Sequence, residues 1–265
     1  MSQPNGIYQN LPSEQYFAAD RINNSALKLI NKTPLHYKQS LEQQREETRA
    51  MLIGSAVHTA VLEPSTLLDR YCVAPKCDKR TKEGKETWST LEATRKIILS
   101  SDDFQMIDAI SQSVNTNETA AKLLSYGEAE MSVFTDIDGI PAKARTDWYR
   151  PGIIVDLKTT DDASPNGFAR SCATYGYAQQ AAWYLDCCEA EGLEAHTFIF
   201  IVVEKSAPYA VAIYELTPES VEFGRTQYHH ALNKYQECTA INEWPGYSLD
   251  IVSLSLPAWS MKEAA

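Results

Sequence analysis

No apolar run in the 265 residues reaches the length that a membrane-crossing helix needs. The opening Met1-Ser-Gln-Pro-Asn-Gly6 has neither a basic start nor an apolar stretch, so no secretory signal is expected and the cytoplasm is the expected compartment. The six cysteines, Cys72, Cys77, Cys172, Cys187, Cys188 and Cys238, include no C-x-x-C pair. That spacing excludes a zinc ribbon and a disulfide framework, and reduced, partly buried thiols are expected. Internal repeats and low-complexity segments are also missing. Positive charge is scarce: 24 Lys and Arg face 35 Asp and Glu, a net charge of −11. Such a chain does not coat nucleic acid by its overall charge, although one local basic patch can coexist with it.

What is present is an ordinary globular composition, 44% hydrophobic and 22% charged. The length suits one large domain. A helical part is expected over about 20–125, a sheet with helices over about 127–240, and an apolar tail over 241–265 that packs on its own domain or a neighbouring subunit. Residues 1–20 read as irregular apart from a Tyr16-Phe17 anchor. Asn23-Asn24-Ser25 and Thr33-Pro34 are helix starts, and the second helix is expected to run to about Gln43. This helical hairpin reads as scaffold. Arg49 to Leu62 reads as a buried helix ending before Pro64, with Gly54 and His58 on one face. Two or three helices are expected over 86–125, with Ser101-Asp102-Asp103 as a cap.

From Glu128 the pattern turns to β. Glu130–Asp136 is one strand, Asp138-Gly139 a hairpin turn, and Ile140–Tyr149 the next strand. Pro151-Gly152 is a second turn, followed by Ile153-Ile-Val-Asp156-Leu-Lys158. Alternation places Asp156 and Lys158 on one face and Val155 and Leu157 on the other. If the two runs pair as a hairpin, Asp147 sits beside Asp156. Two carboxylates and an ammonium then converge at the end of a buried strand, where charges need partners or a metal. Hard divalent cations prefer carboxylate oxygens, and a neighbouring lysine can polarise water or steady a charged transition state. Lys143, Arg145 and Asp147 share a face by alternation, so the two bases either contact phosphate or offset the acids.

Two further stretches carry candidate chemistry. Residues 76–85 hold five positive charges, Lys76, Lys79, Arg80, Lys82 and Lys85, against two negative ones. They read either as a solvated loop before a helix or as a loop that binds a DNA backbone. Ser164-Pro165 opens one long helix to about Glu191, on which Gln180 and Tyr184 are four apart and point the same way. Both can hydrogen-bond a phosphate or a water. Strands at His196–Glu204 and Tyr209–Leu216 follow, then a helix from Pro218 toward Tyr235. Trp244, Pro245, Tyr247, Pro257 and Trp259 make the tail too apolar for a free linker.

The order helix, three strands, helix, strand, carrying Gly54-x-x-x-His58, Asp147, Asp156-Leu-Lys158 and Gln180-x-x-x-Tyr184, resembles the RecB-like branch of the PD-(D/E)XK nucleases. Asn24-Ser25-Ala-Leu-Lys28, His58-Thr-Ala-Val-Leu-Glu63-Pro64, Lys79-Arg80-Thr-Lys-Glu-Gly84-Lys85 and Tyr177-Ala-Gln-Gln-Ala-Ala-Trp-Tyr184 narrow the likeness to the RecE-type exonucleases, over roughly residues 7–240. The resemblance implies an α/β fold with an αβββαβ core, its central mixed sheet flanked by helices, plus additional N-terminal helices. It also implies a Mg²⁺-dependent 5′-to-3′ exodeoxyribonuclease acting on ends of linear double-stranded DNA. The product would be 3′ overhangs used for recombination by strand annealing. A homotetrameric ring and a partner of the RecT type are implied as well.

By the same resemblance His58, Asp147, Asp156 and the Leu157 carbonyl would ligate metal. Lys158 would orient or activate water, and Gln180 and Tyr184 would position the nucleophile or a phosphate. The histidine makes Mn²⁺ an additional candidate. Some nucleases of this class hold an iron–sulfur cluster on C-terminal cysteines, but only Cys238 lies in that region. Glu63 and Glu130 read as supporting or structural acids outside the catalytic set. The alternatives are another PD-(D/E)XK endonuclease and a non-catalytic DNA-binding recombination module. A glycosidase acid pair is disfavoured by Lys158.

Overall fold

The computed structural model describes residues 3–43 and 48–257. An edge strand β1 (Gly6–Tyr8) and a short helix α1 (Ser13–Ala18) come first. Residues 1–20 are therefore not irregular where described. Their order rests on long-range contacts that local pattern does not show: Arg21 donates to the Thr135 carbonyl at 2.8 Å, and Arg145 to the Leu11 carbonyl at 2.6 Å. The helices α2 (Asn24–Lys32) and α3 (Pro34–Ser40) start where their caps predict. Asn23 accepts the Ala26 N–H at 2.9 Å and Thr33 accepts that of His36 at 3.3 Å. The second of these helices stops at Ser40, short of Gln43.

Next come α4 (Arg49–Leu62), α5 (Leu67–Arg70), β2 (Tyr71–Val73), α6 (Lys82–Ala93), β3 (Ile97–Leu99), α7 (Ser101–Thr116) and α8 (Glu118–Leu123). Ser100, not Ser101, caps α7 by accepting the Asp103 N–H. The small parallel pair of β2 with β3 was not expected from the sequence. The main strands are β4 (Glu128–Ile137), β5 (Ile140–Arg150), β6 (Gly152–Thr160), β7 (Ala195–Glu204) and β8 (Val211–Glu215). Between β6 and β7 lie α9 (Pro165–Tyr175) and α10 (Tyr177–Ala190), and α11 (Pro218–Ile241) follows β8. The single helix expected over 164–191 is broken because Gly176 takes the left-handed conformation, φ 63°, and ends α9.

The main sheet runs β1-β4-β5-β6-β7-β8. Only β6 and β7 are parallel; the other neighbours are antiparallel. Both faces are covered. On one, Phe198, Phe200 and Val202 meet Trp183 of α10, Leu232 of α11 and Leu27 of α2. On the other, Val155, Leu157, Ile201 and Val203 meet Val57 of α4 and Ile107 of α7. The fold is thus a mixed sheet between two helical layers, with the N-terminal helices split between the two faces. β6 lies inside the sheet, so Asp156 is fully buried.

The start of the tail lies against α3. Trp244 lies 5.4 Å from the Tyr37 ring, and the Pro245 carbonyl accepts from Leu35. Beyond it Leu249, Ile251 and Leu254 are exposed. Trp259 lies outside the described residues. All six cysteines are free thiols, with Cys187, Cys188 and Cys238 buried. Among the described residues no single helix is long and apolar enough to cross a membrane.

Candidate active site

The site forms where β5 and β6 part. Their ladder runs from Arg150↔Ile153 to Trp148↔Val155 and stops. The next step puts Asp147 opposite Asp156. Asp147 Oδ2 accepts the Leu157 N–H at 2.8 Å, so a side chain replaces a lost backbone partner. Across the other edge of β5, Ala129 pairs with Trp148 and Met131 with Thr146, which sets Glu130 opposite Asp147. Glu130, Asp147 and Asp156 therefore occupy one row across three strands.

Both β4 and β5 change face at this row. Ala129 and Trp148 pack toward α4 and α7, whereas Met131 packs toward α10. Glu130 takes the turn with φ 52°, rare for a residue with a side chain. The strict alternation expected along β5 fails here. Lys143 Nζ is buried and donates to the Tyr16 and Ala19 carbonyls at 2.8 and 2.7 Å. Arg145 is held by Ser132 and Leu11. Neither base is free to contact phosphate; Arg145 still offsets the acids, with a guanidinium nitrogen 3.9 Å from Glu130 Oε2.

His58 reaches the row from α4. Its Nε2 lies 2.8 Å from the Leu157 carbonyl, which can only accept, so Nε2 carries the proton. In the neutral ring Nδ1 then presents a lone pair, 3.7 Å from Asp147 Oδ2. A ring nitrogen of His58 and one oxygen each of Glu130 and Asp147 lie within 4.8 Å of one another. Three electron-rich atoms that close repel unless a cation or proton stands among them. Burial first, then the Asp147 charge, pushes the Glu130 carboxyl up to about 7. Imidazole plus carboxylates suits Mg²⁺ less and Mn²⁺ more, and a divalent ion fits this donor set.

Asp156 is differently occupied. Its Oδ1 accepts from Gln180 Nε2 at 2.7 Å. Its Oδ2 has no well-directed hydrogen bond and meets only the Lys158 ammonium. Burial, then Asp147, raises the Asp156 carboxyl, and Lys158 opposes the rise. Burial would lower Lys158, but Asp156 and Asp147 outweigh it and keep the ammonium charged. Lys158 Nζ also lies 4.8 Å from the centre of the Tyr177 ring. Tyr184 is half-buried against Phe198, and burial holds its hydroxyl far above the usual range.

A cleft of about 1690 Å³ lies on the Lys158 and Gln180 side of this group, and of the candidate residues those two line it. Lys28 lines it as well, from the helix that reads as scaffold in the sequence. Its ammonium is 5.7 Å from the same Tyr177 ring, and burial, then repulsion from Lys158, lowers it to about 8.

Residues 23–254 match a family described as a PDDEXK-like domain of unknown function (DUF3799). The chain belongs to that family. In this PDDEXK-like protein Asp147 and Asp156 thus sit within β5 and β6, at the point where the two strands separate. The fold agrees with a solved "putative exonuclease" from Eubacterium rectale. The two are 16% identical with a TM-score of 0.65, covering 97% of this chain and 100% of that one. A phage-related exonuclease from Haemophilus somnus also matches, at 11% identity and a TM-score of 0.34, covering 84% and 96%. No curated protein matches.

The basic loop is ordered by its own contacts. Lys79 Nζ lies 3.3 Å from the centre of the Trp88 ring, and Arg80 pairs with Asp78. Lys76, Lys82 and Lys85 are exposed, and none of the five lines the cleft of the PDDEXK-like site. Glu130 reads in the sequence only as a supporting or structural acid; the β4–β5 register is what sets it opposite Asp147. Lys28 is brought in by packing between α2 and α10, which leaves no local signal.

Proposed function

We propose that this PDDEXK-like protein is a metal-dependent exodeoxyribonuclease that degrades linear double-stranded DNA in the 5′-to-3′ direction. It would leave 3′ overhangs for recombination by strand annealing. The observation that carries the reading is the meeting of Asp147, Asp156 and Lys158 with His58, beside a cleft that Lys28, Lys143 and Lys158 line. Mg²⁺ or Mn²⁺ bound there would neutralise charge on the scissile phosphate and supply hydroxide near neutral pH.

The chain's own residues divide the remaining work. His58, Asp147 and Asp156 are the metal ligands in this reading. The Leu157 carbonyl fixes the tautomer of His58. Gln180 holds the Asp156 carboxylate in place. Lys158, kept charged, donates to a water or a phosphate oxygen rather than taking a proton. Lys28 adds a second ammonium for the DNA backbone, and the exposed lysines before and within α6 add an outer contact. Assembly into a homotetrameric ring would reconcile an acidic exterior with a cationic channel, and an annealing protein of the RecT type is the proposed partner.

The test is digestion of linear duplex DNA labelled at the 5′ or 3′ end, with Mg²⁺ or EDTA, beside nicked and closed circles. Mg²⁺-dependent loss of the 5′ label, intact circles and an inactive Asp156→Ala variant are expected. Cut circles would replace the exonuclease by an endonuclease. Inert wild-type protein that still binds DNA would indicate a non-catalytic module.

A further inference from the structure

We propose that the cleft carries an unpaired DNA strand past Lys158, with bases stacked on two exposed rings, Tyr175 and Phe17. This rests on the nuclease reading for its ligand and adds to it residues that grip bases rather than phosphates. Both rings line the cleft together with Lys28 and Lys158, and 58% of Tyr175 and 70% of Phe17 stay exposed. Each ring stands on backbone that a separate feature fixes. An unbroken helix would put residues 175 and 177 roughly 200° apart around its axis. The left-handed turn at Gly176 instead brings the two tyrosines together, their ring centres 5.7 Å apart and their planes 31° from parallel. Tyr177 already faces the Lys28 and Lys158 ammonium groups, at 5.7 and 4.8 Å. Tyr175 thus extends an aromatic surface from those charges out to solvent. At Phe17 the fixing group is Lys143 of β5. Its buried ammonium donates to the Tyr16, Phe17 and Ala19 carbonyls at 2.8, 3.3 and 2.7 Å, which pins the end of α1 that presents Phe17. Ammonium groups hold a strand by its phosphates, and an aromatic face holds any base by stacking, so rings set among lysines suit a strand whose bases are unpaired. Bases inside a duplex are stacked on one another and cannot reach such rings.

The test is fluorescence anisotropy of the full chain in EDTA with a labelled single strand of about 12 nucleotides, within the span that such grooves hold. One abasic nucleotide is moved along the strand position by position. The wild type is expected to lose about five- to 150-fold in affinity when the abasic nucleotide falls at a stacking position. Tyr175→Leu and Phe17→Leu are each expected to lose about as much on the intact strand, and Tyr175→Trp to keep the wild-type affinity. On Tyr175→Leu the abasic nucleotide is expected to cost nothing further at one of those positions, a result that a merely structural role of the ring would not produce. Equal wild-type affinity for the intact strand and every abasic strand overturns the inference, and that comparison needs no variant to fold. Equal affinity of wild type and Tyr175→Leu for the intact strand overturns it as well. Digestion with Mg²⁺ keeps the nuclease reading separate. Stacking without any cleavage would overturn that reading and leave this one standing, and cleavage by a protein indifferent to abasic nucleotides would do the reverse.

Discussion

Lys158 is the only cation that meets the buried Asp156 carboxylate among the described residues. Lys158→Met should therefore destabilise the protein by about 3–5 kcal/mol in urea unfolding, because it strands a buried charge. Adding Asp156→Asn should recover most of that loss, and a double-mutant cycle reads the coupling. Glu130 gives a pH dependence. Its folded carboxyl titrates at about 7, above the ordinary glutamate value. The folded state thus holds the proton more tightly than the unfolded one. Its stabilising contribution is complete below the unfolded value and fades as pH rises toward 7. Metal-free protein should melt lower at pH 8 than at pH 5, Glu130→Gln should flatten the difference, and Mn²⁺ should restore stability most at pH 8. Lys28 adds a third expectation. With its ammonium lowered to about 8, DNA affinity should fall as pH passes that value, and Lys28→Arg should remove the fall. Anisotropy titration at pH 7 and 9 would show it; equal pH dependence in both proteins would count against a phosphate contact by Lys28.

At the scale of elements, α10 and α11 touch so closely that a Cβ on Gly224 would lie 2.1 Å from the Ala178 carbonyl. Gly224→Ala should cost about 2–3 kcal/mol and loosen the helix that carries Gln180, seen as a lower denaturation midpoint with weakened DNA binding. Much of the element list was legible because its signals are local. Asn23 and Thr33 cap helices, and Asp138-Gly139 and Pro151-Gly152 turn strands, through bonds that span a few residues. What stayed hidden depends on distant partners. β1 exists because β4 accepts it as an edge strand, and the break at Gly176 cannot be told from a tolerated glycine by pattern alone. The four motif elements could be placed on their helices and strands from sequence order. The hairpin also set Asp147 beside Asp156; the place of Glu130 in their row could not be read, since its own irregular backbone decides which way it faces.

For the whole molecule, the net charge of −11 opposes DNA everywhere except at local cationic surfaces. The cleft offers a few ammonium groups, Lys28 and Lys158 among them. About three phosphate contacts predict a shallow salt dependence, with affinity falling roughly ten- to hundredfold between 50 and 200 mM salt. A much steeper slope would mean that further surfaces, such as the lysines of 76–85 or a second subunit, also hold the backbone.

The Asp147 carboxylate has one more consequence, for how this protein is tested. It stands in for a missing strand neighbour by taking the Leu157 N–H. Alanine at 147 would remove a charge and a sheet bond in one stroke, so an inactive Asp147→Ala protein would report on a slipped strand as readily as on lost chemistry. Asparagine leaves an oxygen for that N–H and isolates the charge. The same residue is a hinge pin and a candidate reagent, and only the isosteric change tells the two apart.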